Sequence, residues 1–409
     1  MVLAHQPSRL RTWIVWLAVS LFSLLQFFLQ VSGNLITSSM MTTFHIDYTQ
    51  TGFLSSIFFW LYLLVQVPAG ILLDYFGGKK VLIPASLFLA LGCLLFASAH
   101  TYAAAIVARI IMGAGAGFAF IGMVFTIAEY FDFSKFGLMV GLGELVGMAG
   151  TSLGQSLAPY LILATSWRML IYIVAVAVFI ITLIMFFFLE NRKIYLLEER
   201  NLFATLCNSL LAVVKMPAVW FSGFFCLGTF AILTGFTDIW ALPFLERVYH
   251  LTYLRASQVI TWVLVGIAIG GPSIGKLADK LNPKAVASIA TLLTFLLLGA
   301  VIYYPVFSDF ELGVLFFVIG FFGSCYLLAF LFVKREVNET YKGAAIAFCN
   351  ALALLGAVLF QPITGWLLTK LGTTPVDYEI ALAVLPIGLI LSLCCIIFID
   401  REKNKKVNA

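Results

Sequence analysis

Long apolar runs alternate with short polar breaks along nearly the whole chain. An α-helix needs about 20 residues to cross the hydrocarbon core of a bilayer, and most of the runs reach that length. The runs lack the regular apolar and polar alternation that is typical of membrane β-strands. The pattern predicts twelve transmembrane helices, near residues 13–37, 49–73, 81–99, 102–128, 136–161, 168–189, 217–245, 256–275, 285–304, 312–333, 343–369 and 378–399.

The composition supports the same interpretation. Hydrophobic residues make up 62% of the 409 residues and charged residues 11%, whereas soluble domains are about half apolar and about a quarter charged. Lipid cannot hydrogen-bond an open backbone, so a span must be a helix or part of a closed β-barrel, and the missing alternation excludes the barrel. The sequence therefore predicts an all-α membrane protein.

A polar segment over residues 190–215 divides the predicted spans into two sets of six. The predicted organisation is an N-terminal six-helix bundle over 1–189, a cytoplasmic linker over 190–215 and a C-terminal six-helix bundle over 216–409. The leucine and phenylalanine content of the linker predicts a helix that lies on the membrane surface.

A short motif is repeated after the second and the eighth predicted spans. The first copy comprises Gly70, Asp74, Gly77, Lys79 and Lys80. The second copy comprises Gly275, Asp279, Lys280 and Lys284, with Asn282 where the second glycine would be. The repetition indicates two related halves, and the charged residues place both motifs at a membrane face.

These motifs resemble those of the major facilitator superfamily of secondary transporters, and the resemblance extends over nearly the whole chain. It implies two pseudo-symmetric bundles around a central cavity that opens alternately to either side of the membrane. It also implies a monomer in a bacterial inner membrane that binds a small-molecule substrate, exchanges protons and contacts membrane lipid. The two motifs are expected to act as gate loops of this cavity. The negative charge of Asp74 is expected to interact favourably with the partially positive N-terminus of a helix near Gly343.

Basic residues are distributed unevenly between the two sides of the predicted topology. With both termini in the cytoplasm, most of the 24 lysines and arginines fall in cytoplasmic segments, as the positive-inside pattern requires. The predicted outer segments contain Arg168, Arg247, Arg255 and Lys370. The net charge of +5 thus reflects topology and contact with anionic lipid, and it does not indicate nucleic-acid binding.

The first span carries a polar stripe in an otherwise apolar helix. Gln26, Gln30 and Asn34 recur at every fourth position and therefore share one helix face. We predict that this face lines a substrate cavity, because three large amides exceed what a tight interface of small residues accommodates. The alternative is that the amides join neighbouring helices by hydrogen bonds.

Two ionisable residues stand deep in the fourth and fifth spans. Arg109 begins a stretch that resembles the Arg-x-x-Gln-Gly motif of the superfamily, with Met112 in place of the glutamine, and in that family the arginine takes part in coupling or substrate binding. Glu144 lies near the middle of its span, where a charged carboxylate is costly. We predict that Glu144 carries the coupled proton with Arg109 as its partner. The alternative for Arg109 is a side chain that extends to the outer interface.

The seventh and eleventh spans contain further polar residues next to helix-breaking ones. Asp238 lies between Gly235 and Pro243, which predicts a bending point with an acid beside it and a second candidate for proton coupling. The alternative is a hydrated Asp238 near the outer surface. Asn350 is assigned to the cavity, and Gln361 with its neighbouring proline suggests a flexible contact.

The sequence contains no visible catalytic constellation or nucleotide-binding motif, and its cysteines and histidines lack the spacing of metal ligands. We therefore expect neither an enzyme nor a bound cofactor or metal. The predicted function is secondary active transport of a small organic solute such as a peptide, amino acid or organic acid, by proton symport. Proton-driven efflux of a drug, siderophore or metabolite is the alternative within this class, and a non-transporting membrane receptor is the alternative outside it.

Overall fold

A computed structural model describes residues 8–190, 210–337 and 342–399, and the secondary structure within these ranges is helical. The first half contains α1 (Arg9–Phe44), α2 (Tyr48–Phe76), α3 (Gly78–Ser98), α4 (Tyr102–Ala116), α5 (Ala119–Tyr130), α6 (Phe133–Ala164) and α7 (Trp167–Phe188). The second half contains α8 (Pro217–Ala231), α9 (Ala241–Val248), α10 (Tyr253–Lys280), α11 (Pro283–Tyr303), α12 (Asp309–Gly323), α13 (Leu328–Glu336), α14 (Lys342–Leu371), α15 (Pro375–Leu382) and α16 (Val384–Phe398). A π-helix (Ile232–Thr237) separates α8 from α9, and a 3-10 helix (Ser324–Leu327) separates α12 from α13.

The helices coincide with the predicted spans. Among the described residues, 11 helical segments are long and apolar enough to cross a membrane. The fifth predicted span corresponds to α6, which has 32 residues. A helix of that length extends for about 48 Å, which exceeds the thickness of the hydrocarbon core of a bilayer. The structure thus confirms the all-α membrane fold class.

The turn between α2 and α3 depends on a glycine. Gly77 has φ 80 and ψ 159, a conformation that is essentially restricted to glycine. In the second copy of the motif, Asn282 has φ −66 and its side chain accepts a hydrogen bond from the Lys284 backbone nitrogen at 2.9 Å. The second turn needs no positive φ, which explains why asparagine can replace glycine there.

The chain forms two compact units, of which unit 1 comprises Met1–Gln30 and Trp60–Glu198. Within it, α3 packs against α4 and α7. A Cβ atom at Gly115 would lie 2.5 Å from the Ala85 carbonyl oxygen, so this glycine allows α3 and α4 to approach closely. On the other side of α3, the Thr182 hydroxyl donates to the Ser86 hydroxyl at 2.9 Å.

The glycines of α6 form a surface that receives side chains of α1. A Cβ atom at Gly147 would lie 2.8 Å from the Phe27 ring. The ring of Phe28 occupies the space beside Gly154, and the side chain of Leu24 occupies the space beside Gly150. These glycines therefore serve close packing between helices.

Unit 2 comprises Val31–Phe59 and Glu199–Ala409. Its core contains the buried rings of Phe225 and Phe332, α8 packs against α14 and α16, and α10 packs against α12. The second part of α1 and the first part of α2 belong to this unit because they pack on second-half helices. The predicted boundaries of the two bundles stay predictions, since residues 191–209 of the predicted linker lie outside the described residues.

Candidate functional site

The seventh predicted span is interrupted in its second half. The α8 helix ends at Ala231, the backbone continues as the π-helix, and a turn leads into α9 at Ala241. An irregular backbone thus lies in the region where Gly235 and Pro243 predicted a bending point. Short π-helical insertions are frequent at functional sites, and irregular backbone at membrane depth occurs where it lines a cavity or is buried in protein.

Two side-chain amides bind the carbonyl groups of this interruption. Asn34 Nδ2 donates to the Thr237 carbonyl oxygen at 2.6 Å, and Gln361 Nε2 donates to the Thr234 carbonyl oxygen at 2.7 Å. Both side chains are buried. Because lipid supplies no donors to a carbonyl that its own helix leaves open, the amides stabilise the interruption.

Further hydrogen bonds join neighbouring helices to the same region. The Trp240 indole nitrogen donates to the Gln361 carbonyl oxygen at 3.0 Å. The Tyr253 hydroxyl donates to the Leu35 carbonyl oxygen at 2.9 Å. Together with the two amides, these bonds connect α1 and α14 to the interruption and α10 to α1.

Asp238 follows the π-helix directly and is completely buried, with an exposed fraction of 0%. This burial contradicts the alternative in which Asp238 is hydrated at the surface. A Cβ atom at Gly33 would lie 2.8 Å from the Asp238 carbonyl oxygen, so the glycine lets α1 contact the backbone at this point. An ionised carboxylate in such surroundings is costly unless it is paired and hydrogen-bonded.

Glycines also allow α2 and α14 to touch through their backbones. A Cβ atom at Gly52 would lie 2.5 Å from the Gln361 carbonyl oxygen, and one at Gly365 would overlap the Tyr48 carbonyl oxygen. The hydroxyl groups of Thr49 and Thr369 are 2.9 Å apart. We refer to the packing of Val31–Phe59 on the interruption, α9 and α14 as the α1–α2 contact.

The predicted polar stripe on α1 has two different kinds of partner. Gln26 Nε2 donates to Gln30 Oε1 at 3.1 Å, and both side chains are buried. Gln26 Oε1 has no hydrogen-bond partner among the described residues. Asn34 instead makes the helix-to-helix bond that the alternative to a cavity lining anticipated. The stripe is therefore divided, and Gln26 and Gln30 stay predicted cavity residues.

Arg109 lies between α3 and α4. Its side chain is 2% exposed, and its guanidinium carbon lies 4.8 Å from the centre of the Phe96 ring. Met112, one turn further along α4, contacts the backbone of α3 at Gly92. The face of α4 that carries the Arg109 motif thus packs on α3, and Arg109 does not extend to the interface as the alternative required.

Two other predicted site residues are placed only in part. Glu144 belongs to α6, but its side chain lies outside the described part of the chain, so its pairing with Arg109 stays a prediction. Asn350 is half-buried on α14, the same helix that contributes Gln361.

The two copies of the repeated motif differ in their surroundings. Lys79 Nζ lies 5.3 Å from the centre of the Phe186 ring, whereas Lys80 is exposed. In the second copy Asp279 and Lys280 are exposed, and Lys284 Nζ donates to the Ile399 carbonyl oxygen.

The first glycine of each copy lies beside open space. A Cβ atom at Gly70 or Gly275 would meet no atom within 4 Å. The side chain of Asp74 lies outside the described part of the chain. The predicted role of Asp74 in a gate stays a prediction.

Several residues of this region were not assigned to the site from the sequence. Gln361 was recognised as part of a flexible contact but not as a partner of the seventh span, and its adjacent Pro362 was the available signal. Tyr253 and Glu246 gave no signal, because both stand at span ends where polar residues are ordinary. Glu246 on α9 is half-buried, and burial raises its pKa while the neighbouring Arg247 opposes the rise.

The described residues contain no group of three or more histidine, cysteine or acidic side chains that could hold a metal ion. The features that remain are chemically simple. They are an interrupted helix, a buried carboxylate and amides that contact backbone carbonyls.

Comparison with known sequences identifies relatives over the length of the chain. The sequence profile of the Major Facilitator Superfamily matches residues 15–257 and 239–409. The chain is 26% identical over 392 residues to the 3-(3-hydroxy-phenyl)propionate transporter of Escherichia coli (strain K12), covering 92% of this chain and 91% of that protein. It is 23% identical over 222 residues to the nitrite extrusion protein of Bacillus subtilis (strain 168), covering 54% of this chain and 53% of that protein.

Solved structures show the same fold. A bacterial homologue of the human lysosomal transporter Spinster, in an inward-facing and occupied conformation, matches with a TM-score of 0.79 and 14% identity over 97% of this chain and 98% of that chain. The nucleoside transporter NupG matches with a TM-score of 0.76 and 17% identity over 95% of this chain and 99% of that chain.

Proposed function

Because the chain belongs to the Major Facilitator Superfamily, and is therefore a multi-pass membrane transporter rather than an enzyme, we propose that it takes up a small organic acid by proton symport. The relative that it matches over nearly its full length is named for 3-(3-hydroxy-phenyl)propionate, an aromatic carboxylate. This similarity favours organic acids over the peptides and amino acids that were also candidates. The proposed orientation is the predicted one, with both termini on the cytoplasmic side of a bacterial inner membrane.

The observation that carries the coupling proposal is the complete burial of Asp238 at the interrupted seventh span. Interrupted helices near the bilayer midplane form the substrate and ion sites of many secondary transporters. Here the interruption is bound by Asn34 from α1 and Gln361 from α14. A movement of either helix therefore changes the surroundings of the carboxyl group.

The α1–α2 contact supplies a reversible closure in this proposal. Hydrogen bonds in this contact join neutral groups, such as Asn34 to Thr237 and Thr49 to Thr369. Neutral hydrogen bonds contribute about 0.5–1.5 kcal/mol each. A membrane potential of 100 mV supplies about 2.3 kcal/mol per charge moved, so a few such bonds can be broken and remade in a transport cycle.

Protonation and closure are linked through the burial of the carboxyl group. When the α1–α2 contact opens, water reaches Asp238 and the carboxyl group can exchange a proton. When the contact closes, water is excluded, and a neutral or paired carboxyl group is favoured because a bare charge is costly there. Closing would therefore carry a proton together with the substrate.

The amides of Gln26 and Gln30 are the proposed recognition groups for the substrate. Their mutual hydrogen bond holds both side chains on one face of α1. Amide nitrogens donate to a carboxylate, and the buried Gln26 Oε1 is available to accept from a substrate hydroxyl. Arg109 is proposed to act in coupling through its position between α3 and α4.

Glu144 and Asp238 are the two candidate proton carriers, and a transport assay distinguishes them. We propose to measure uptake of radiolabelled hydroxyphenylpropionate into proteoliposomes under an imposed pH gradient, together with substrate exchange without a gradient. Glu144→Gln should abolish accumulation and preserve exchange if Glu144 carries the proton. Asp238→Asn should do so if Asp238 is the carrier. Asp132→Asn, which alters an exposed acid at the start of α6, is the matched control. Undiminished accumulation in both variants would contradict proton coupling through these groups.

The similarity to a nitrite extrusion protein favours a second candidate function, which is efflux. The two functions differ in the direction of net movement relative to the proton gradient. Accumulation in vesicles that are acidic inside indicates exchange of substrate against protons, whereas accumulation in vesicles that are alkaline inside indicates symport. Binding without accumulation under either gradient would favour the non-transporting receptor.

A further inference from the structure

Unit 2 contains a groove that has no role in the transport function proposed above. The groove lies between the first turns of α10 and α12 and has a volume of about 530 Å³. Its lining includes Arg255, Gln258, Trp262, Asp309, Phe310 and Phe317. The volume falls within the range of ligand pockets, about 300–1,000 Å³.

The groove is polar at one end and apolar along its length. Arg255 and Asp309 stand in the first turns of their helices, and both side chains are exposed. Neither forms an ion pair with another described residue. The polar end therefore presents one positive and one negative group that are both available to a ligand.

The apolar wall extends from this end toward the middle of the spans. Phe310 is 80% exposed and Trp262 is 49% exposed, and the rings of Trp262 and Phe317 lie 6.4 Å apart. Phe317 follows Asp309 by eight positions, which corresponds to a depth of about 12 Å along the helix. Aromatic rings exposed in this way on a membrane-spanning helix provide an apolar surface against which an acyl chain can pack.

We propose that the groove binds a zwitterionic phospholipid whose headgroup carries a primary ammonium group. The phosphate would bind the Arg255 guanidinium, the ammonium would bind the Asp309 carboxylate, and the first part of an acyl chain would lie on Trp262 and Phe317. The opposite charges of Arg255 and Asp309 match the two charges of this headgroup. Charge-assisted hydrogen bonds of this kind are stronger than those between neutral groups.

The charge pair and the wall together distinguish this ligand from other phosphate-containing molecules. An anionic phospholipid without an ammonium group would leave Asp309 facing a second negative charge. A free phosphate ion would make no use of the aromatic wall. The proposal therefore predicts a preference order among lipids that differ only in their headgroups.

A larger residue in place of Gly313 would fill the apolar part of the groove without changing the charged residues at its polar end. A Cβ atom at this position would lie 3.3 Å from Trp262 Cδ1. Gly313→Leu would place a larger side chain in the space beside the indole ring. This variant should block the acyl chain and leave Arg255 and Asp309 in place.

Native mass spectrometry of the full-length protein in detergent tests the proposal. Phosphatidylethanolamine, phosphatidylcholine and phosphatidylglycerol with identical acyl chains are added separately, and the bound lipids are counted. Wild-type protein should retain phosphatidylethanolamine best. Arg255→Ala should weaken binding of all three lipids by about tenfold, as expected for loss of a charge-assisted hydrogen bond. Asp309→Asn should remove only the preference for phosphatidylethanolamine, and Gly313→Leu should weaken binding of all three.

Lys370→Ala is the matched control, because Lys370 is an exposed basic residue in the last turn of α14, outside the groove. The proposal is overturned if Arg255→Ala binds phosphatidylethanolamine as wild type does, or if Lys370→Ala loses as much binding. Stronger retention of phosphatidylglycerol, or displacement of the lipid by inorganic phosphate, would also overturn it. Should Gly313→Leu fail to fold, the Arg255 and Asp309 variants decide the question, since both side chains are exposed.

Discussion

The side-chain amide of Asn34 donates a hydrogen bond to the main-chain carbonyl of Thr237, with 2.6 Å between nitrogen and oxygen. Asn34 belongs to α1, and Thr237 is the last residue of the π-helix. The bond explains both a large amide in an apolar helix and the persistence of an irregular backbone beside it. Opening of the α1–α2 contact therefore requires that this hydrogen bond break.

Asn34→Leu should favour the open form of the α1–α2 contact. The substitution leaves the Thr237 carbonyl without its donor, and an unsatisfied buried acceptor costs about 1–3 kcal/mol. Labelling of a cysteine introduced at the buried Ser55 position, in a cysteine-free background, should accelerate about tenfold or more. Thr42→Ala changes an exposed residue of the same helix and serves as the control. Unchanged labelling in Asn34→Leu would show that the bond does not limit opening.

Gly52→Ala should hinder closure of the same contact by steric overlap. Its Cβ atom would lie 2.5 Å from the Gln361 carbonyl oxygen, which belongs to the rigid backbone of α14. Oxidative cross-linking between Thr49→Cys and Thr369→Cys reports closure, because the two hydroxyl groups are 2.9 Å apart. The cross-linking yield should fall in Gly52→Ala and stay constant in Gly299→Ala, where a Cβ atom meets nothing within 4 Å. Equal yields would contradict the close approach of α2 and α14.

Gly77→Ala should destabilise the folded protein. The positive φ of Gly77 lies in a region that costs other residues about 1–3 kcal/mol. The temperature of thermal unfolding in detergent should therefore fall. Asn282→Gly at the matching position of the second copy should have a much smaller effect, because glycine replaces an asparagine cap at a cost of a few tenths of a kcal/mol. Similar shifts in both variants would argue against a special role for the Gly77 conformation.

Gln30→Leu should weaken recognition of the substrate while the protein stays folded. The substitution removes the acceptor of the Gln26 hydrogen bond and one amide of the proposed recognition face. The KM for uptake should rise, and the unfolding temperature should stay close to that of the wild type. Ser38→Ala, on an exposed part of α1, controls for general effects. A lower unfolding temperature with unchanged KM would favour the helix-joining interpretation of the amide.

Glu246 should make the stability of unit 2 depend on pH. Burial raises the pKa of Glu246, with Arg247 opposing the rise, so the folded state binds a proton more tightly than the unfolded state. Between the ordinary glutamate pKa of about 4.3 and the raised value, stability should therefore decrease as pH rises. Thermal unfolding temperatures across this range should show the slope, and Glu246→Gln should remove its share of it. An unchanged slope in the variant would assign the pH dependence to other groups, and Asp132→Asn is the control.

Local patterns in the chain were enough to predict the helices and their membrane character. The apolar runs predicted the 11 helical segments among the described residues that are long and apolar enough to cross a membrane. A helix in lipid must satisfy its own backbone and present apolar side chains, and both requirements act on neighbouring residues. The bend at Gly235 and Pro243 was also visible, since glycine and proline act on their own stretch of helix. Gly77 was recognised only as part of the repeated motif, and its positive φ became known from the structure.

The partners of the polar residues were decided only by the tertiary structure. Periodicity placed Gln26, Gln30 and Asn34 on one face, yet Asn34 binds a carbonyl of the seventh span and the two glutamines bind each other. A hydrogen-bonding group specifies the chemistry of its partner but not the partner's position in the chain. The approach of α2 to α14 through Gly52 and Gly365 has the same origin, because glycine permits a close contact and the packing of distant helices determines where that contact forms.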